Sequence, residues 1–88
     1  MAELIWMEEE ETQSEYTEHG RFRAWIHRID TPSEGRVTIR YFIRDMEANV
    51  DEKASYVQIA AARAPQVIEG LKTKLENELI SRVGPVEE

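Results

Sequence analysis

The most regular feature of the chain is an alternation of apolar and polar side chains in residues 21–29 and again in residues 36–44. In the first segment Phe22, Ala24 and Ile26 are separated by arginines, a tryptophan and a histidine. Successive side chains of a strand point to opposite faces, so each segment predicts a strand with one apolar face. The sequence between the two segments, DTPSEG, contains the proline and glycine typical of turns. We therefore expect a β-hairpin.

The second strand of this hairpin shares the apolar face of the first. Val37, Ile39, Tyr41 and Ile43 occupy alternate positions, and their β-branched and aromatic side chains favour a strand over a helix. This row predicts the part of the sheet on which a helix would pack.

A different periodicity covers residues 60–83, where apolar residues recur every three or four positions and predict one long helix. Pro65 suits its first turn, where the missing N–H is not needed, and Gly84-Pro85 would end it. No Ser, Thr, Asp or Asn stands at a plausible N-cap, which leaves the first helical residue undetermined. The apolar stripe comprises Ile68, Leu71, Leu75, Leu79 and Arg82/Val83.

Four shorter segments complete the predicted elements. Residues 4–7 are an apolar run compatible with a first strand or with a plug that docks on the body of the protein. Residues 12–19 alternate weakly and predict an edge strand with Tyr16 pointing inward. Residues 45–54 are polar and predict a loop, after which residues 55–59 predict a short strand.

The predicted fold class is α+β. We expect an antiparallel β-meander of three to five strands packed on one C-terminal α-helix, because a sheet with one apolar face needs a second layer on that face only. The length predicts a single domain over residues 1–88, with residues 1–13 as a loosely attached acidic N-terminal segment.

Charge is distributed unevenly along the 88 residues. Residues 1–20 carry seven acids and no lysine or arginine, residues 21–44 carry six arginines against two acids, and residues 45–88 carry nine acids against five bases. The net charge is −7. The chain has no cysteine, which excludes a disulfide framework and thiolate chemistry. Since neither a secretory signal nor an apolar stretch of about 20 residues is present, we expect a cytoplasmic protein without membrane contact.

The second face of the hairpin is basic and aromatic, and a single helix would leave it uncovered. In proteins that bind single-stranded nucleic acid, cations follow the phosphates and aromatic rings stack on the bases. We therefore predict a non-enzymatic binding protein that binds single-stranded DNA or RNA on this face. Its eight candidate residues are Arg21, Arg23, Trp25, His27, Arg36, Arg40, Phe42 and Arg44.

The same face is compatible with two other uses. Aromatic residues and arginine are enriched in protein interfaces, and a homodimer would hide the rings. Arginines that pair across strands with Glu or Asp would instead form an ordinary solvated face. The net charge of −7 also favours an alternative function. This is a small acidic protein-binding module, such as an antitoxin, an immunity factor or a phage-type inhibitor of a nucleic-acid enzyme, that presents Glu8–Glu11, Glu15 and Glu18 to a basic target. We expect a homodimer.

No pattern in the sequence predicts a reaction, a metal site or a cofactor. His19 and His27 are the only histidines, and neither belongs to a set of ligands at metal-binding spacing. No serine lies in a Gly-x-Ser-x-Gly sequence, and no glycine-rich phosphate-binding loop is present. We expect no catalytic residue, no metal and no cofactor.

The order of the elements resembles the sheet-then-helix unit of the PUR family, whose layout is related to that of the transcription-coactivator and Whirly single-stranded-DNA-binding proteins. The resemblance covers residues 14–82 and rests on SEYTEHGRFRAWIHRI, RVTIRYFIRD and SYVQI followed by a single helix. Gly20, Arg21, Arg23 and Trp25 stand where the family has a glycine followed by basic and aromatic positions. The resemblance implies single-strand binding on a basic, aromatic sheet face and dimerisation through the helix and sheet edge.

Overall fold

The computed structural model describes residues 3–31 and 35–86. Five antiparallel strands follow one another in chain order across one sheet, and a helix follows the last strand. The predicted α+β meander with one C-terminal helix is confirmed. The elements are β1 (Met7–Glu9), β2 (Ser14–His19), β3 (Phe22–Thr31), β4 (Arg36–Asp45), β5 (Val50–Ala60), a 3-10 turn (Ala61–Arg63) and α1 (Ala64–Val83).

The core lies between α1 and one face of the sheet, here called the helix face. The alternation predicted for the hairpin is confirmed, because the apolar positions of β3 and β4 point to this face. Phe22 and Tyr41 are half-buried at its margin, and Val83 at the end of the predicted stripe is exposed. The fully packed residues are Ala24, Ile26, Val37, Ile39 and Ile43 of the sheet, with Ala64, Leu71, Leu75 and Leu79 of the helix.

The predicted signals at the ends of the helix are confirmed. Pro65 lies in the first turn, and Arg63 occupies the N-cap position without a side-chain hydrogen bond. At the other end Gly84 has a φ of 111°, and its N–H donates to the Ile80 carbonyl at 2.7 Å. The α-helix begins four residues after the predicted start at residue 60, because β5 and the 3-10 turn occupy the intervening positions.

The orientation predicted for Tyr16 is wrong, and so is the prediction that β2 forms an edge. A two-residue turn at Gly20 and Arg21 sets the β2–β3 register, which places Tyr16 opposite Trp25 and Thr17 opposite Ala24. Thr17 therefore points to the helix face, where it is buried and its hydroxyl donates to the Ile5 carbonyl at 2.8 Å. β1 pairs with the first half of β2 and forms the edge instead.

The loop predicted at residues 45–54 is also wrong in its second half, because β5 begins at Val50. A β-bulge shifts the register, so that Tyr41 faces Ser55 while Ile43 faces Glu52. Within the bulge Lys53 has a φ of 54°. The extra residue changes the phase of the side-chain alternation, and backbone pairing with β4 does not require apolar side chains. The pattern of polar residues therefore concealed the first part of the strand.

The apolar run at residues 4–7 contributes both a plug and the start of a strand. Leu4 and Trp6 pack against the core, and the Trp6 Nε1–H donates to Glu76 Oε1 on α1 at 3.0 Å. Met7 begins β1, and Glu8–Glu11 are exposed, as their like charges predict. The centre of the predicted DTPSEG turn, residues 32–34, lies outside the described residues.

Candidate binding face

Four aromatic rings form a continuous cluster on the sheet face that α1 leaves uncovered, here called the aromatic face. Trp25 on β3 is paired with Tyr16 on one side and Phe42 on the other. The ring centroids of Trp25 and Tyr16 are 5.9 Å apart, and those of Trp25 and Phe42 are 5.2 Å apart. His27 stacks on Phe42 at 5.8 Å. All four side chains are half-buried by one another and by their neighbours.

Two arginines lie over this ring cluster. Arg23 and Arg44 are directly opposite each other on β3 and β4. The Arg23 guanidinium carbon is 4.8 Å from the Tyr16 ring centroid and 4.9 Å from that of Trp25. The Arg44 guanidinium carbon is 5.6 Å from the Trp25 centroid and 5.9 Å from the Phe42 centroid. These distances are within the cation–π range.

Both of these arginines are ion-paired. Arg23 pairs with Glu18 on β2, and Arg44 Nε donates to Asp51 Oδ1 on β5 at 2.6 Å. The hydrogen bond from Arg44 lowers the pKa of Asp51 and raises the pKa of Arg44 itself. One end row of the face therefore runs Glu18, Arg23, Arg44, Asp51 across four strands, and its formal charges balance.

The other half of the aromatic face is basic, although it includes the exposed apolar Ile29. Arg40 lies opposite His27 and Tyr56, is exposed, and makes no ion pair with any residue in the described ranges. Arg36 begins β4 and is exposed on the same side, about 20 Å along the strand from Phe42 at the usual rise per residue. On this face the two central strands carry no carboxylate, because Asp30 and Asp45 point to the other side.

His27 is held in the middle of the face by the hydroxyl group of Ser14 on β2. Its Nδ1 lies 2.5 Å from Ser14 Oγ, and Ser14 is only 2% exposed. Burial, followed by the charge of Arg40, lowers the pKa of His27 below its ordinary value of 6.5. The imidazole therefore favours its neutral form and behaves as one more ring in the cluster.

Seven of the eight residues predicted for the site lie on the aromatic face, and Arg21 does not. Arg21 belongs to the β2–β3 turn, where its guanidinium pairs with Asp45 at 2.7 Å and with Glu47 at 3.1 Å. These contacts attach the turn to the β4–β5 connection. The remaining residues spread along the full length of β3 and β4, with Trp25, His27 and Phe42 in contact and Arg36 farthest from them.

Four further residues of this face were not predicted to belong to it: Tyr16, Ser14, Glu18 and Asp51. The signal for the first three was the Gly20-Arg21 pair, since a two-residue turn fixes which residues of a hairpin face each other. Asp51 had no such signal, because its position depends on the bulge in β5.

Within residues 3–31 and 35–86, no group of three or more histidines and carboxylates is placed to hold a metal ion. Over the same residues, no helix is long and apolar enough to cross a membrane.

Comparison of the chain with family models, with curated proteins and with solved structures finds no match. The resemblance to the PUR family therefore stays a prediction based on the order of the elements.

Proposed function

We propose that this protein is a non-enzymatic binding protein whose aromatic face binds single-stranded DNA or RNA. The observation that carries the proposal is the ring cluster around Trp25 on the sheet face that α1 does not cover. It lies beside the exposed Arg40, and β3 and β4 contribute no carboxylate to this face. Flat rings give every base a stacking surface, and stacking is worth about 1–3 kcal/mol per base.

The two halves of the face would have separate roles. Bases would stack on Trp25 and Phe42, while the phosphates would follow Arg40 and Arg36 along β4. Arg23 and Arg44 would exchange their carboxylate partners for phosphates, because a guanidinium donates the same pair of hydrogen bonds to either anion. The proposal includes a homodimer, since a small chain gains both stability and binding area by pairing. It also includes a cytoplasmic location.

A second candidate is a protein-binding module, and a specific observation favours it. Glu18 and Asp51 already neutralise Arg23 and Arg44, which weakens the attraction of that row for phosphates. Exposed apolar side chains also lie on the face around the rings, with Met7 51% exposed and Ile29 47% exposed. Aromatic residues, methionine and arginine together are typical of the centre of protein interfaces.

Tryptophan fluorescence tests the first candidate directly. The chain has two tryptophans, and Trp6 lies against the helix on the opposite side from Trp25. In the Trp6→Phe variant, Trp25 is the only tryptophan, and we expect single-stranded oligonucleotides to quench its emission. The Trp25→Phe variant is the matched control, since Trp6 reports in it and should not be quenched.

The salt dependence of the titration distinguishes phosphate contacts from non-specific quenching. If Arg23, Arg36, Arg40 and Arg44 each displace one counterion, the logarithm of the binding constant should fall against the logarithm of salt concentration with a slope of about −3. Absence of quenching at low salt, where phosphate attraction is strongest, overturns the nucleic-acid proposal and leaves the protein-binding candidate.

A further inference from the structure

The two edges of the sheet differ in how well they are protected against pairing with a strand of another chain. β1 forms one edge with only Met7–Glu9, and glutamates make up most of it and continue beyond it. β5 forms the other edge with eleven residues, and no described segment pairs with its outer side. Short length and charge are common protections against edge-to-edge pairing, so β1 is protected by both.

β5 is protected in its first half only. Asp51, Glu52 and Lys53 carry charge, and the bulge at Lys53 interrupts the regular edge. Ser55–Ala60, by contrast, contains no charge, no glycine and no proline, and includes the β-branched Val57 and Ile59. Tyr56 in this half is 63% exposed. A regular, uncharged edge with free backbone donors and acceptors favours pairing with another strand.

We propose that two copies of the chain pair through the second halves of their β5 strands, antiparallel and centred on Val57. Directly opposite residues of an antiparallel pair share a face, which restricts the register to pairs of the same side. Centring on Val57 sets Val57 against Val57 of the second copy on the helix face. It sets Tyr56 against Gln58 of the second copy on the aromatic face.

Charge complementarity at both ends favours this register and this occupant. The same register directs Asp51, which also pairs with Arg44 of its own chain, toward Arg63 of the second copy, just beyond the end of its β5. Arg63 is exposed and makes no ion pair within the described ranges. A second copy therefore brings opposite charges together twice, once at each end of the paired segment.

The pairing would join the two sheets into one, with both aromatic faces on the same side. This inference rests on the homodimer of the proposed function and identifies its surface. It leaves the rings of Trp25 and Phe42 open to a ligand, whereas a dimer that packed face to face would cover them. One single-stranded nucleic acid would then be able to run from one aromatic face to the other.

Solution mass gives the first test. We expect twice the chain mass of 10.3 kDa for the native protein and the monomer mass for the double variant Tyr56→Lys/Gln58→Lys, which sets lysine against lysine in the paired register. Glu8→Lys is the matched control, because it changes the net charge by the same amount at the other edge and should remain dimeric. A native monomer at high concentration, or a dimer for all three proteins, overturns the proposal.

Cysteine cross-linking tests the register in proteins whose fold is little changed. The chain has no cysteine, so Val57→Cys introduces a single thiol directly opposite its own copy, at a Cα separation of about 5 Å that a disulfide can bridge. Ser55→Cys is the control, since the two copies of residue 55 would be about 13 Å apart. We expect oxidation to cross-link the first variant and not the second. Cross-linking of both or of neither contradicts this register.

Failure of this inference is distinguishable from failure of the proposed function. A monomer whose Trp25 is quenched by oligonucleotide overturns the β5 pairing and leaves nucleic-acid binding in place. A dimer that cross-links at residue 57 without any quenching supports the pairing and overturns nucleic-acid binding.

Discussion

Trp25 and Phe42 lie directly opposite each other on β3 and β4, and their rings stack at a centroid separation of 5.2 Å with an interplanar angle of 27°. Cross-strand pairs of this kind are the unit by which a sheet face is stabilised. The contact therefore stabilises the same surface that is proposed to bind a ligand.

The stacked pair should show a measurable coupling in a double-mutant cycle. Trp25→Leu and Phe42→Leu each remove the ring contact, so the double variant should lose less stability than the sum of the singles by about 0.5–1.5 kcal/mol. The free energies of unfolding come from urea titrations. A cycle between Trp25 and Trp6, on the other side of the sheet, is expected to be additive. Additivity in both cycles would show that the rings contribute only buried area.

Removing the carboxylates that pair with Arg23 and Arg44 should distinguish the two candidate functions. Glu18→Gln/Asp51→Asn releases both guanidiniums, which then bind phosphate without first leaving a carboxylate partner, so we expect tighter binding to a single-stranded oligonucleotide. Glu8→Gln/Glu10→Gln changes the net charge equally but lies off the arginine row, and should raise the affinity much less. If the face instead binds a protein, the loss of Glu18 and Asp51 leaves oligonucleotide binding absent in all three proteins.

His27 should make stability depend on pH in a defined window. Its pKa is lowered in the folded state, mainly by burial, so the unfolded chain binds a proton more readily. The free energy of unfolding should therefore be highest above pH 6.5 and fall as the pH decreases through that value toward the lower pKa of the folded state. Asp45 and Asp51, whose pKa values are lowered by their arginine partners, lose their stabilisation only in more acid solution.

Urea unfolding at a series of pH values measures this effect, and His27→Gln should flatten the profile between about pH 5 and pH 7. An NMR titration of the His27 ring reports the pKa independently. A His27 pKa at or above 6.5, or an unchanged profile in the variant, contradicts the assignment.

Gly20 should tolerate substitution less well than Gly35, although both have a positive φ. Gly20 has a φ of 62°, and a Cβ at this position would lie 2.8 Å from Val83 Cγ1. Gly35 has a φ of 63° and no atom within 4 Å of the same position. Gly35→Ala should cost about 1 kcal/mol for the backbone alone, and Gly20→Ala more, because its Cβ also forces the Val83 side chain to move.

The comparison is made by urea unfolding of the two variants and of the double variant Gly20→Ala/Val83→Ala. Removing the Val83 methyl groups should recover part of the loss at Gly20. Equal losses for Gly20→Ala and Gly35→Ala would show that the contact with Val83 contributes nothing.

The position of Gly20 also explains how the hairpin register is tied to the helix. His19 Nε2 lies 2.5 Å from the Gly84 carbonyl oxygen, beside the contact region of Gly20 and Val83. The β2–β3 turn therefore meets the end of α1 at two adjacent positions. These contacts attach the C-terminal end of the helix to the turn.

The local pattern of the sequence determined most of the fold. Alternation in β3 and β4 identified the residues that pack under α1, and Pro65 and Gly84 marked both ends of the helix, because these effects act within a few residues of the chain. The same alternation placed Trp25, His27, Arg40 and Phe42 on a common face. Successive side chains of a strand point to opposite faces, so this shared face follows from the sequence of each strand without reference to the strands beside it.

Only the tertiary structure decided which residues meet across the strands. The register of β2 against β3 turned Tyr16 to the aromatic face, and the bulge at Lys53 brought Asp51 to Arg44. Pairing between strands depends on backbone hydrogen bonds and turn geometry that side-chain polarity does not record. The sequence by itself therefore predicted a basic, aromatic surface, whereas the packed sheet shows that two of its arginines are neutralised and that its basic half lies around Arg40 and Arg36.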